Sequence, residues 1–279
     1  MISLEQRLAR ALIAQDEELW SLVRDPHPHV IMDVTLNRSL NEEMAVVLAK
    51  TRSTPAEALG FLAGDIRFKD SYKLKLALCK NPKTPQRVSF SVLKFLRIFD
   101  LGDLTRDQKV PVTLRQKIEL MLMEKIPSLP SGISIALAKR SNSTVVTAIM
   151  SRGDSNVVNA CLDSPVITET HLCEIINRHS VKPVVIHMIS GHSKWSLRYA
   201  VKYSLIRNFH TPMIHVTQFI PDMKTSDLRE LYYSESLPKA TRPFIFLELR
   251  QRGENVEMPK EETYEISDDD DLDNGNDEL

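Results

Sequence analysis

Glycine is in short supply in this chain. Eight glycines in 279 residues are fewer than half of the roughly 7% found in average proteins. That leaves little for the tight turns of a β-barrel or a dinucleotide-binding sheet, and no glycine-rich phosphate loop is present. Aromatic residues make up 6%, and three cysteines, Cys79, Cys161 and Cys173, are too few and too irregularly spaced for a disulfide scaffold. No uninterrupted apolar run approaches the roughly 20 residues needed to cross a bilayer. The opening MISLEQRLARALIAQDEELW has acidic residues and no small-residue cleavage site behind an apolar core. These absences point to a mostly helical, cytoplasmic protein without membrane insertion.

Recognisable chemistry is equally sparse. His171, Cys173 and His179 are spaced so that all three cannot share one helical face, and His187/His192 and His210/His215 are each five apart. Neither an H-E-x-x-H nor a paired C-x-x-C occurs. No metal and no cofactor is expected, and Cys161 and Cys173 read as small buried apolar residues. Gly153-Asp154-Ser155-Asn156 superficially resembles the nucleophile block of a GDS-type hydrolase, but that block follows a β-strand. Here Asp154 or Ser155 reads more naturally as a helix cap. The expectation is a protein that is not an enzyme and has no catalytic residues.

The formal net charge of -1 conceals an asymmetry. Residues 254–279 hold twelve acidic residues and one lysine, so this stretch reads as a disordered acidic tail. Residues 1–253 then carry 35 basic against 25 acidic side chains. Two groups of cations stand out: Lys69, Lys73, Lys75, Lys80, Lys83, Arg87, Lys94 and Arg97, then Lys182, Lys194, Arg198, Lys202 and Arg207.

An internal repeat organises the chain. Residues 78–122 align without a gap to residues 205–249 at an offset of 127, with 12 of 45 positions identical. Among these are Asn81/Asn208, Thr84/Thr211, Pro85/Pro212, Asp100/Asp227 and Arg115/Arg242, and upstream Tyr72 matches Tyr199, Lys75 matches Lys202 and Phe68 stands where Trp195 stands. Short polar corners with proline or a capping residue recur along the chain, each followed by an apolar helix of two to four turns. Thr84 is placed to accept an N–H of the first turn of the next helix, with Pro85 inside its start. Val88, Val92, Phe95, Leu96 and Phe99 then form one apolar stripe. The domain reading is an N-terminal capping helix over 1–29, a first helical repeat unit over 30–125, a helical connection over 126–155, a second unit over 156–253 and the tail over 254–279. Leu4, Leu8, Ala11, Leu12, Leu19 and Val23 place residues 4–23 on one amphipathic helix, which caps the array or supplies a self-association contact.

With its successive short amphipathic helices the chain resembles the HEAT-like, or leucine-rich-repeat-variant-like, α-solenoid proteins of bacteria, and Asn81-Pro-Lys-Thr84-Pro85, Asp100-Leu-Gly-Asp-Leu104 and Val110-Pro-Val-Thr-Leu114-Arg115, in this order and partly duplicated, resemble a class of bacterial proteins carrying N-P-x-T-P, D-L-x-x-L and V-P-x-x-L-R. The second copy departs at Phe209, Leu237 and Thr241. The resemblance implies an all-α, right-handed solenoid of short helices, a fold that serves as a scaffold or recognition surface, and it implies no reaction.

The function expected is a non-enzymatic protein-binding scaffold with an unidentified protein partner. The alternative is a nucleic-acid-binding module with a basic concave surface regulated by its acidic tail. Binding candidates are Lys75, Lys80, Lys194, Trp195, Arg198, Lys202 and Arg207. Asn81, Thr84, Pro85, Asp100, Arg115, Asn208, Thr211, Pro212, Asp227 and Arg242 are assigned to the repeat framework, with Arg115 and Arg242 expected to pair with Asp100 and Asp227.

Overall fold

A computed structural model of the chain describes residues 3–257. The expected disordered tail lies, for residues 258–279, outside the described residues. The described residues are all-α, with eighteen α-helices, four 3-10 turns and no strand. The first nine helices are α1 (Leu4–Ala11), α2 (Asp16–Leu22), α3 (Pro28–Leu36), α4 (Glu42–Lys50), α5 (Ala56–Gly64), α6 (Tyr72–Lys80), α7 (Gln86–Leu93), α8 (Ile98–Arg106) and α9 (Val112–Lys125). The second nine are α10 (Ser131–Arg140), α11 (Ser143–Met150), α12 (Ser155–Leu162), α13 (Glu169–Ile176), α14 (Pro183–Gly191), α15 (Tyr199–Ile206), α16 (Met213–Phe219), α17 (Thr225–Tyr233) and α18 (Arg242–Gln251). The helix starts keep the offset of the sequence repeat: every helix from α10 to α17 begins at the position equivalent to the start of its counterpart from α1 to α8, from Leu4 and Ser131 to Ile98 and Thr225. Val112, which opens α9, is equivalent to Lys239, where the 3-10 turn Lys239–Thr241 leads into α18. The register of the repeat therefore runs well upstream of the sequence identities. The stretches read as cap and connection each supply two helices in that register.

The helices are short because the corners between them are built alike. At Asn37, Thr51, Asn81, Asp107, Ser164, Asn208 and Ser234 a backbone carbonyl accepts the N–H of the residue three further on, closing a four-residue turn. The fourth residue, respectively Leu40, Thr54, Thr84, Val110, Ile167, Thr211 and Leu237, is buried in every case. Where it is threonine, its hydroxyl donates to a carbonyl six residues earlier: Thr54 to Leu48 at 2.7 Å, Thr84 to Leu78 at 2.7 Å and Thr211 to Leu205 at 2.6 Å. This corrects the expected role of these threonines. They give a last-turn carbonyl of the preceding helix a second donor beside the backbone N–H three residues on, while Pro85 and Pro212 themselves occupy the N-cap positions of α7 and α16, with no side-chain cap.

Two expected helices are each broken by a turn. Residues 4–23 form α1 and α2 because the Asn37 side-chain amide donates to the Ala11 and Ala14 carbonyls at 2.9 and 3.0 Å, holding the chain in a turn. The stripe from Val88 to Phe99 is likewise divided between α7 and α8, and Phe95 lies in the connection with 53% of its surface exposed. Tyr72 Oη accepts the Arg97 N–H at 3.1 Å there, capping the turn.

The chain divides into two compact units, residues 1–201 and residue 202 onward. In the first, α1 packs on α3 and α3 on α5, α4 packs on α6, α7 packs on α9, α9 on α11 and α11 on α13. A second series runs from α8 to α10, α12 and α14. Helices thus pack on the next but one as well as on their neighbours, a helical repeat-like architecture. Hydrogen bonds follow that spacing: Asn81 Nδ2 donates to Ala49 O and Thr51 O, an Arg67 Nη donates to Asn37 O, Arg38 O and Leu40 O, and Trp195 Nε1 donates to Leu162 O. Leu48, Leu59, Leu74, Leu101 and Leu137 are fully buried in this unit, each worth about 1.5–3 kcal/mol. In the second unit α17 packs on α18, burying Leu228, Leu231, Ile245 and Leu249. An Arg252 Nη donates to Met223 O at 2.7 Å, Arg229 pairs with Glu254, and Val256 is buried.

Candidate functional site

The basic residues singled out from the sequence divide by partner. Lys202 is only 8% exposed and pairs with Asp222, with its ammonium also 5.8 Å from the Phe219 ring. Its counterpart Lys75 sits 4.5 Å from the centroid of Phe95, the residue that corresponds to Asp222 in the repeat. The same lysine is therefore anchored by an aromatic ring in one copy and by a carboxylate in the other. Lys80 is exposed at the end of α6, and its counterpart Arg207 donates to Ser236 Oγ at 3.0 Å and lies 5.9 Å from the Tyr203 ring. Trp195 is buried, donating its indole N–H to Leu162 O at 2.9 Å, with the Lys194 ammonium 4.0 Å over the ring. Arg198 is exposed. Lys194, Trp195 and Arg198 belong to the first unit, Lys202 and Arg207 to the second.

The framework residues are only partly placed as expected. Asp100 accepts a hydrogen bond from Tyr72 Oη, and Arg115 Nε is buried without a hydrogen-bond partner. The expected Arg115–Asp100 ion pair is not among the ion pairs of the described residues, and the Asp100 carboxylate is bonded to Tyr72 instead. Arg242 donates to Ser234 O at 3.0 Å, Asp227 accepts from Ser226 Oγ at 2.8 Å, and Asn208 accepts the His210 N–H at 2.9 Å. Asp154 caps α12, accepting the Val157 N–H at 3.2 Å and the Ser131 hydroxyl at 2.6 Å. These bonds, the Ser131 hydroxyl foremost, hold its carboxyl below the ordinary value of 3.8. Burial pushes the Cys79 and Cys161 thiols up to about 12, whereas Cys173 is half-buried rather than in the core. Among the described residues no three His, Cys, Asp or Glu side chains converge as a metal site.

What the sequence reading missed is a groove of about 540 Å³ between α3 and α5, lined by Thr35, Leu36, Glu57, Gly60, Phe61, Gly64 and Asp65. Leu36 and Phe61 are each 54% exposed. A Cβ added at Gly60 or Gly64 would meet nothing within 4 Å, so the groove owes its depth to these two glycines. Position 60 is His187 in the second copy and position 36 is Asp163, and of the lining only Gly64, equivalent to Gly191, is shared between copies. Glycine scarcity was the signal available in the sequence: two of only eight glycines lie four apart on one short helix. No protein-family model, curated protein or solved structure matches the chain, and no helix among the described residues is long and apolar enough to cross a membrane.

Proposed function

We propose that the protein is a non-enzymatic, cytoplasmic protein-binding scaffold built as a HEAT-like α-solenoid, and that the α3–α5 groove receives a short amphipathic helix from its partner. The groove carries this reading. Leu36 and Phe61 offer apolar surface at its walls, and Gly60 and Gly64 permit close approach of a partner's apolar side chain or backbone. Glu57, exposed at the rim, favours a basic residue flanking that anchor. Next-but-one packing of helices in the first unit, as in α1 on α3, α8 on α10 and α10 on α12, supports the solenoid.

The test places a photo-crosslinking amino acid at Phe61 in cells, identifies the joined peptide, and measures its affinity as a synthetic peptide. Gly60→Leu, which fills the groove, is expected to weaken the peptide by tenfold or more, as for loss of a central interface contact, with the unfolding midpoint retained. A crosslinked peptide that binds Gly60→Leu as tightly as the unaltered protein would remove the groove from the function.

A further inference from the structure

The excess of positive charge is concentrated in one segment. Residues 66–99 contain nine basic side chains and one acidic one, Asp70. Arg67 pairs with Asp65, and the other eight cations form no ion pair among the described residues. The carboxylate nearest in sequence downstream, Asp100, is occupied by Tyr72 Oη.

Aromatic rings sit among these cations. Phe95 is 53% exposed in the α7–α8 connection, with the Lys75 and Lys94 ammoniums 4.5 and 5.0 Å from its centroid. The Arg97 guanidinium lies 4.8 Å from the Tyr72 ring, and its backbone N–H is held by Tyr72 Oη. The second copy shows that the helical frame does not require this surface. At the equivalent positions there, Lys73 becomes Ala200, Arg87 becomes Ile214, Lys94 becomes Pro221 and Phe95 becomes Asp222, and Asp222 neutralises Lys202.

We infer that α6, α7 and the α7–α8 connection form a binding site for single-stranded nucleic acid, with phosphates held by Lys75, Lys94 and Arg97 and a base stacked on Phe95. Unneutralised cations supply the salt-sensitive, sequence-independent attraction of a phosphate backbone. The Lys75 and Lys94 ammoniums lie over the exposed Phe95 ring; as they turn to phosphates they free its face as a stacking platform for an unpaired base, which a duplex keeps inside its stack. This surface is separate from the α3–α5 groove and does not rest on the scaffold reading.

Fluorescence anisotropy of a labelled single-stranded oligouridylate with the full-length protein, across a salt series, tests the site. The logarithm of the affinity is expected to fall with that of salt with a slope of about -2, matching three phosphate contacts. Replacing Lys75, Lys94 and Arg97 together with glutamine flattens the slope and lowers low-salt affinity by tenfold or more. Phe95→Leu weakens binding about tenfold with the slope unchanged, as stacking requires. Phe95→Asp, which installs the residue that the second copy already accommodates beside Lys202, abolishes binding while the unfolding midpoint is retained. The inference is overturned by no binding at low salt, or by wild-type affinity in the triple variant. Equal affinity of Phe95→Leu and unaltered protein, with anionic phosphatidylserine vesicles bound as well as oligouridylate, overturns it in favour of a general anionic-surface contact.

Discussion

Thr54, Thr84 and Thr211 show how one hydroxyl can end a helix. Each donates across its corner to a last-turn carbonyl that also accepts the backbone N–H three residues on, and each is buried. Valine keeps the shape and removes only the bond, so Thr84→Val is expected to cost about 1 kcal/mol, measured by urea unfolding. Asparagine does related work at Asn37 and Asn81, whose amides tie a corner to the corner two before it. Cysteine chemistry separates as cleanly. With Cys79 and Cys161 buried and their thiols pushed up to about 12, a thiol-directed reagent is expected to modify only Cys173 rapidly in the folded protein and all three after unfolding. Rapid reaction of a second thiol before unfolding would contradict the burial of Cys79 or Cys161.

Between helices, glycine decides by what faces it. Gly102 on α8 is buried, and a Cβ there would meet Leu137 Cδ1 at 2.8 Å and Ser141 Oγ at 2.9 Å, both from the α10 side. Gly102→Val is therefore expected to destabilise by about 1–3 kcal/mol through overpacking. Gly60→Ala meets open space and is expected to stabilise by about 0.5–1 kcal/mol through helix propensity. Thermal unfolding of the two variants should shift in opposite directions. The start of α12 carries a pH signature. Hydrogen bonds to Asp154 depress its folded-state pKa below 3.8, so its contribution is fully present above the unfolded value and is lost as pH falls through the folded one. Asp154→Ala should be less stable than the unaltered protein at neutral pH, and the gap should close in acid. A gap that stays constant into acid would mean that the carboxylate form contributes nothing.

Across the whole molecule, charge is the quantity to manipulate. Residues 258–279 carry ten acidic residues and one lysine, so truncation after Glu257 moves the formal net charge from -1 to +8. If the α6–α7 surface binds phosphate chains, the truncated protein should associate faster with oligouridylate, by a factor that shrinks as salt rises; stopped-flow fluorescence measures it. Much of the architecture was legible in the chain itself. Apolar spacing at the helical period and recurrent corners specified an all-helical fold, and the constant offset between similar segments exposed the repeat, because helix formation and capping depend on residues a few positions apart. Asp154 was legible as a cap for that reason. Contacts between segments remote in sequence were not. The break between α1 and α2 depends on Asn37, Phe95 leaves the core because its connection is capped by Tyr72, and the Asp100 carboxylate goes to Tyr72 rather than Arg115. The groove likewise exists only because α3 packs beside α5 with two glycines between its walls. Local sequence set which segments are helical. Packing between helices remote in sequence decided which side chains are buried, which charges find partners, and which surfaces remain open to a ligand.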